Sequence, residues 1–381
     1  MKFLESLRGA KVLIFGAGVT GKPSEDFLRN RGAEVLVLDE RENNEGVRNS
    51  IEGLAFADFD FALVSPGWKP SHPWLEVVRS AGVSLISEID LAWRVKSEIA
   101  PHQRWIGLTG TNGKTTTVQM AEAMALAAGI KARACGNVGT TVIEAVTSPE
   151  ADLLILELSS FQLEWSHEFK LDSAAILNIA PDHIDWHGSF DNYAAAKFKI
   201  CERSDLLIFN ESDSEVISRA REVKIRAVPF SLDTPANHQI GLVENLVIDR
   251  AFVSGDAEVL FELGDLNPAA PHNVLNAMAA AALIRSLGAS PEPIATALRS
   301  FTLDHHRLEL VAESGGVRWI DDSKATNPHA AIAALQSQLS AIWIAGGLAK
   351  GADMDELVQR VGSRIKAAIL IGSDADVIDQ A

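Results

Sequence analysis

The chain has 381 residues and a formal charge of -17, from 51 acidic against 34 basic side chains. That excludes nucleic acid or an anionic membrane as the main partner, since both require a basic surface. A hydrophobic share of 47% over this length fills more than one core, so two or three domains are expected.

The start, MKFLESLRGAKVLIF, has no secretory signal, and no apolar run is long enough to span a bilayer. The two cysteines, Cys135 and Cys201, imply no disulfide framework and fit a reducing compartment, so a cytoplasmic protein is expected. KVLIF (11–15) reads as a strand, GAGVTG (16–21) as a glycine turn opening a helix to about Arg31, and EVLVLD as a strand ending at Asp39. Gly16, Gly18 and Gly21 satisfy GxGxxG with an acid downstream, which is compatible with NAD but also with the diphosphate of any nucleotide. Asp39 could meet a ribose or simply end a strand. FDFALV, the loop SPGWKPSHP, a helix and VSLIS complete a small parallel α/β unit, with a further helix from Glu88 to Glu98. A first domain over 1–97 is expected.

A second domain, 98–300, is organised around WIGLTGTNGKTTT (105–117). An apolar strand breaks there into a glycine turn, then Lys114 and three threonines, then the helix-compatible VQMAEAMALAAG. Backbone N–H groups of such a turn converge on one anion. The lysine adds a point charge, and Thr115 or Thr116 offers a hydroxyl to magnesium. The spacing departs from GxxxxGK[ST], because Leu108 stands where the first glycine would fall.

Further on, ADLLILELSSFQLEW is a buried-strand pattern with Glu157 at its carboxyl end, the best-placed acid for a phosphate-bridging metal. SAAILNI then discharges into APDHIDWHGSF, where Asp182, His183, Asp185 and His187 are possible metal ligands without zinc-site spacing. Lys197 lies in NYAAAKFKI on a helix starting near Phe190, where a lysine often just snorkels to the surface. VKIRAVPFS, LVENLVIDR, AFVSG and EVLFEL read as short strands of an antiparallel excursion on the central sheet. PHNVLNAMAAAALIRSLG returns to helix, with Asn273 and Asn276 free to cap it or to bind an adenine. A third α/β unit, 301–381, holds Asp321, Asp322, Ser323 and Lys324, then a glycine turn with Lys350.

TGTNGKTT, GNVG, ELSSFQL, NIAPDHIDWHGSFDNYAAAK, HNVLNA, HHRLE and DDSKATNP occur in this order. The set resembles the Mur ligase family, ATP-dependent amide-forming enzymes of peptidoglycan precursor synthesis, and ELSSFQLE with GAGVTG is most similar to its D-glutamate-adding branch. The resemblance implies a Rossmann-like N-terminal domain, a central P-loop mononucleotide-binding sheet and a Rossmann-like C-terminal domain. It implies ATP and two magnesium ions as cofactors, UDP-N-acetylmuramoyl-L-alanine and D-glutamate as partners, and a monomer. Thr109, Gly110, Thr111, Asn112, Gly113, Lys114, Thr115 and Thr116 would hold ATP, with Asn276 at the adenine and Arg307, Asp322 and Lys324 at the phosphates.

Thr115 and Glu157 would bind one metal; His183 and Lys197, the lysine as a carbamate, would bind the second. Val19, Thr20, Asp39 and Arg41 would meet the uridine end, Ser65 and Gly67 the diphosphate, and Asn137 the alanyl end. Ser159, His306 and Thr326 join the substrate-binding set, and Lys350 would face the incoming glutamate. The family pattern runs some tens of residues past Ala381 and carries there a serine- and phenylalanine-containing D-glutamate motif, so the resemblance implies a third domain cut short.

Overall fold

Uninterrupted apolar runs alternate with amphipathic segments along the chain, and parallel sheets with both faces covered are the packing this pattern favours. The computed structural model describes residues 2–41, 46–148, 150–348 and 353–381. Its fold is mixed α/β with mainly parallel sheets. Among the described residues the first sheet has five strands, β1 (Lys11–Phe15), β2 (Glu34–Leu38), β3 (Val47–Arg48), β4 (Phe61–Val64) and β5 (Ser84–Ile86), ordered β3-β2-β1-β4-β5 and all parallel. Val12 to Phe15 and Phe61 to Val64 are buried on both sides. The order reverses between β1 and β4, and the crevice at such a reversal is where these folds bind ligands.

The second sheet runs through β6 (Arg104–Thr109), β7 (Ala132–Gly136), β8 (Leu153–Glu157), β9 (Ser173–Ile176), β10 (Leu206–Asn210), β11 (Arg226–Phe230), β12 (Ile240–Val243), β13 (Leu246–Asp249) and β14 (Glu258–Glu262). Its order is β14-β13-β12-β11-β10-β9-β6-β8-β7. Only the β12–β13–β14 edge is antiparallel. RAVPF pairs parallel with β10, contrary to the antiparallel expectation, and AFVSG forms no strand. The reason is local: the turn Val243–Leu246 can close a hairpin, whereas β11 follows the helix Ser214–Ala220 and so returns as a crossover. The alanine-rich helix Pro271–Arg285 is apolar on nearly every side and is buried from Ala277 to Arg285 against this sheet. Each fully buried Leu or Ile there, such as Leu283, contributes about 1.5–3 kcal/mol.

The two sheets are joined by the helix Glu88–Ile99. A capping box of Ser87 and Asp90 starts it, and Asp90 also accepts from the backbone N–H groups of His167 and Glu168. Glu88 is buried and accepts from the Ile143 N–H; burial pushes its carboxyl up to about 7.

Beyond the helix Pro291–Ser300 come β15 (Glu309–Ser314) and β16 (Val317–Asp321), a hairpin turning at Gly315–Gly316. β17 (Ala341–Gly346) and β18 (Ile365–Ile371) then pair in parallel. Ile332, Leu335, Leu357 and Val361 of two helices cover one face of that pair, while Ile342, Ile344, Ile369 and Ile371 on the other are exposed. Among the described residues no helix is long and apolar enough to cross a membrane.

Candidate active site

The phosphate turn sits where the strand order of the central sheet changes sense, after β6, which pairs in parallel with β8 and β9. The helix that follows starts at Lys114 itself and runs to Ala127, so the lysine and all three threonines belong to its first turn rather than preceding it. Gly113 holds the N-cap position at φ +83°, and a Cβ there would lie 2.4 Å from Asn276 Oδ1. Only glycine meets both conditions. No side chain caps this helix, so its first N–H groups and its positive end remain available to an anion. Asn178, at the end of β9, braces the turn by accepting from the Asn112 N–H and donating to the Asn112 carbonyl.

Two lysines converge on one carbonyl. Lys114 Nζ donates to Gly110 O at 2.8 Å and Thr111 O at 2.9 Å, and Lys197 Nζ donates to the same Gly110 O at 2.8 Å. Lys197 is 2% exposed, so it is no snorkelling surface residue. Desolvation, then the charge of Lys114, holds its amine well below the usual lysine range. Desolvation lowers Lys114 as well, with Glu157 and Asp182 opposing and Arg307 adding to the shift.

Glu157 is 1% exposed at the end of β8. Its Oε1 accepts from Asn137 Nδ2 at 2.9 Å, while its buried Oε2 has no partner. An unpaired buried carboxylate oxygen costs its full desolvation penalty unless something positive meets it. His183 adopts φ 52° at the head of the short helix Ile184–His187; its ring lies 4.8 Å from Phe161 and its Nε2 3.6 Å from Asp182 Oδ2. The unpaired Glu157 oxygen and the Thr115 hydroxyl are hard oxygen donors of the kind magnesium takes, whereas the His183 ring and the Lys197 amine offer nitrogen. His187 belongs elsewhere: it is buried with Nε2 3.0 Å from Ser160 Oγ, and burial pulls its ring down to about 4. Asp185 enters through its backbone, accepting from Lys69.

A cavity of about 100 Å³ collects Thr111, Lys114, Asn137, Ser159, His183 and Lys197 from separate stretches of chain. Thr109 is buried beneath it, donating to Leu158 O. Asn273 and Asn276 do not cap their helix; Asn276 lies over Gly113. Arg307 acts electrostatically on both Lys114 and Asp322, and Asp322 accepts from the Leu308 N–H. His306 bonds Asp321 at 2.6 Å and is not among the cavity-lining residues, and Lys324 and Thr326 are exposed. Lys350 lies outside the described residues.

In the first sheet, the GAGVTG turn follows β1, and Ser65 and Gly67 follow β4 across the crevice. Ser65 Oγ reaches Gly16 O at 3.4 Å. Asp39 is engaged locally, accepting from the N–H groups of Ala17 and Arg41 at 3.0 Å each, while Val19 is exposed and Thr20 partly so.

Sequence reading passed over Tyr193 and Phe161. Tyr193 Oη is 2.9 Å from Thr111 Oγ1, its ring lies 4.7 Å from Lys197 Nζ, and Phe161 forms a cavity wall. The available signal was the spacing of Tyr193 and Lys197, four residues apart and therefore on one helix face; Tyr193 is also the chain's one tyrosine.

Comparison with known proteins adds to this geometry. The Mur ligase middle domain profile matches residues 108–284, and the Mur ligase, glutamate ligase domain profile matches 306–381. A UDP-N-acetylmuramoylalanine--D-glutamate ligase from Thermobifida fusca is 45% identical over 98% of this chain and 85% of the relative; one from Streptomyces coelicolor is 43% identical over 98% and 84%. The chain belongs to the Mur ligase family. Among solved structures, this Mur ligase superposes on MurF from Acinetobacter baumannii with a TM-score of 0.62 at 17% identity, covering all of this chain and 82% of that one. The alanine ligase MurC from Thermotoga maritima gives 0.55 at 18%, covering 95% and 90%. At such identities the likeness concerns the fold.

Proposed function

We propose that this Mur ligase joins D-glutamate to UDP-N-acetylmuramoyl-L-alanine at the expense of ATP, in peptidoglycan precursor synthesis. The observation that carries the reading is the buried, unpartnered Glu157 oxygen beside an anion-ready turn and two lysines. Three domains, 1–97, 98–300 and 301–381, would divide the work: nucleotide-sugar anchoring, ATP binding, and amino-acid delivery. The protein would act as a monomer in the cytoplasm.

A carboxylate is a poor acyl donor because its leaving group would be oxide. In the first step a carboxylate oxygen of the alanyl end attacks the γ-phosphorus of ATP, the bond to the β–γ bridging oxygen breaks, and ADP leaves. The turn from Thr109 to Thr116, with Lys114, supplies donors and charge where the phosphoryl group transfers. Next the D-glutamate amine attacks the acyl carbon, phosphate departs with the original carboxylate oxygen, and the nitrogen loses a proton to give the amide. Asn137, held by Glu157, would orient the alanyl end, with Ser159 beside it.

Thr115 and Glu157 would hold one magnesium ion, and His183 and Lys197 a second. When bound, these ions neutralise charge on the phosphates. Burial keeps Lys197 available as an amine, and attack of its nitrogen on carbon dioxide with loss of a proton would give the carbamate, whose oxygens suit magnesium. Asn276 would meet the adenine. Arg307, Asp322 and Lys324 would serve the phosphates, while His306, Thr326 and Lys350 would serve the domain junction and the amino acid. The anchoring set is Val19, Thr20, Asp39, Arg41, Ser65 and Gly67.

Phosphate release should require both UDP-N-acetylmuramoyl-L-alanine and D-glutamate. Turnover supported by another amino acid in place of D-glutamate would refute the reading. Short carboxylic acids should partly restore a Lys197→Ala variant; no restoration would count against the carbamate.

A further inference from the structure

The loop Ser65–Lys69 is fastened to the central unit by three donors that cross in both directions. Trp186 Nε1 donates to Gly67 O at 3.2 Å, Trp165 Nε1 donates to Trp68 O at 2.9 Å, and Lys69 Nζ donates to Asp185 O at 2.8 Å. On its far side the same loop leans on the glycine turn, with Trp68 packed 5.3 Å from Phe15 and its indole nitrogen 3.2 Å from where a Gly16 Cβ would sit.

Of the two tryptophans, Trp186 packs its ring directly on the wall of the reaction cavity, whereas Trp165 reaches it only along the backbone of its own helix, Ser160–Trp165. Its ring is 4.7 Å from Phe161 and 4.5 Å from His187, and Phe161, 4.8 Å from His183, forms the cavity wall. Trp165 packs instead in the core beneath β1 and β4, with Leu13, Phe15 and Val64. The loop therefore has one attachment that ends in a core and one that ends at the cavity.

We propose that Trp186 is a positioning residue: it fastens the loop expected to carry the nucleotide diphosphate to the Phe161 wall, and so sets the reach from diphosphate to reacting carboxylate. This rests on the ligase reading above. A fixed distance between anchor and reaction centre is what makes a remote nucleotide useful to catalysis, because binding energy spent at one end orients the other. Trp186 carries no charge and is not among the residues that line the cavity with Thr111 and Lys114, so ATP affinity should not depend on it.

The test compares Trp186→Phe, which removes the N–H and keeps a ring, with Trp165→Phe, which removes the matching bond to the same loop. Dissociation constants for UDP-N-acetylmuramoyl-L-alanine and for ATP are measured by calorimetry, and turnover by phosphate release. Losing one neutral hydrogen bond predicts about fivefold weaker nucleotide-sugar binding in Trp186→Phe. The kcat should fall as well, while ATP affinity stays within about twofold, the scatter expected of an unaffected site. Trp165→Phe should weaken nucleotide-sugar binding and leave kcat in place. Equal loss of kcat in both variants, or unchanged nucleotide-sugar binding in Trp186→Phe, overturns the proposal, as does an ATP affinity that falls in step. If the unaltered protein binds the nucleotide sugar but releases no phosphate, the reaction reading fails, while the binding ratio still decides the loop attachment.

Discussion

The glycine turns after β1 and β6 share a form but differ in where their charges go. Each follows the strand at which its sheet reverses, each opens a helix that no side chain caps, and each has an acid downstream. In the first turn the acid, Asp39, is saturated by backbone N–H groups, and the nearby Lys22 pairs outward with Glu25 and Asp26. In the second turn Lys114 folds inward over the loop, and Glu157 keeps one buried oxygen without a partner. Glycine gives both turns their shape; on the proposed function, charge left uncompensated would separate a place that holds a ligand from one that performs chemistry on it.

The largest effect should come from removing that inward charge. Lys114→Ala is expected to cost at least ~10²-fold in kcat, the loss typical of deleting one preorganised donor, whereas Lys22→Ala should leave kcat unchanged. Steady-state phosphate release distinguishes the two, and equal sensitivity would erase the contrast between the turns.

Next in size is the joint between the sheets. Glu88 has its carboxyl raised to about 7 by burial, so its contribution to stability is fully present below the unfolded value near 4.5 and is lost as pH rises toward 7. The loss amounts to roughly 3 kcal/mol at most. Melting temperature should fall across that window in the native protein, and Glu88→Gln should flatten the profile. A steeper profile in the variant would contradict the assignment.

The shape of the second turn can be tested separately. Gly113→Ala forces a side chain into a left-handed position and into Asn276, which should destabilise the protein by about 1–3 kcal/mol, read in denaturant titrations. The smallest effect should follow Asp39→Asn, which replaces the acceptor after β2 that holds the Ala17 N–H of the first turn. It should weaken nucleotide-sugar binding about threefold by calorimetry and leave kcat unaltered.

The same contrast explains what could be read before the fold was known. Runs such as KVLIF and LLILEL announce buried parallel strands because their apolar residues fall on both faces without alternation, and the glycine turns are visible as local spacing. The parallel pairing of RAVPF was hidden, since its partner is set by a crossover helix and not by anything within the five residues. Lys197 looked like a surface residue because its alanine-rich helix shows no polar face to oppose it. Its burial depends on Gly110, 87 positions away, and on Tyr193 beneath it. The attachment of Trp186 to Gly67 is likewise a long-range contact with no local signature. Local spacing thus revealed the turns, while the groups gathered around the second of them came together only in three dimensions.

On the proposed function the alanyl carboxylate and the γ-phosphate meet in the cavity lined by Lys114, Asn137 and Lys197. The most direct test follows heavy oxygen placed in the carboxylate of UDP-N-acetylmuramoyl-L-alanine through turnover with D-glutamate. One labelled oxygen should appear in the released phosphate, detected by mass spectrometry. Phosphate free of label, with amide still formed, would contradict the account.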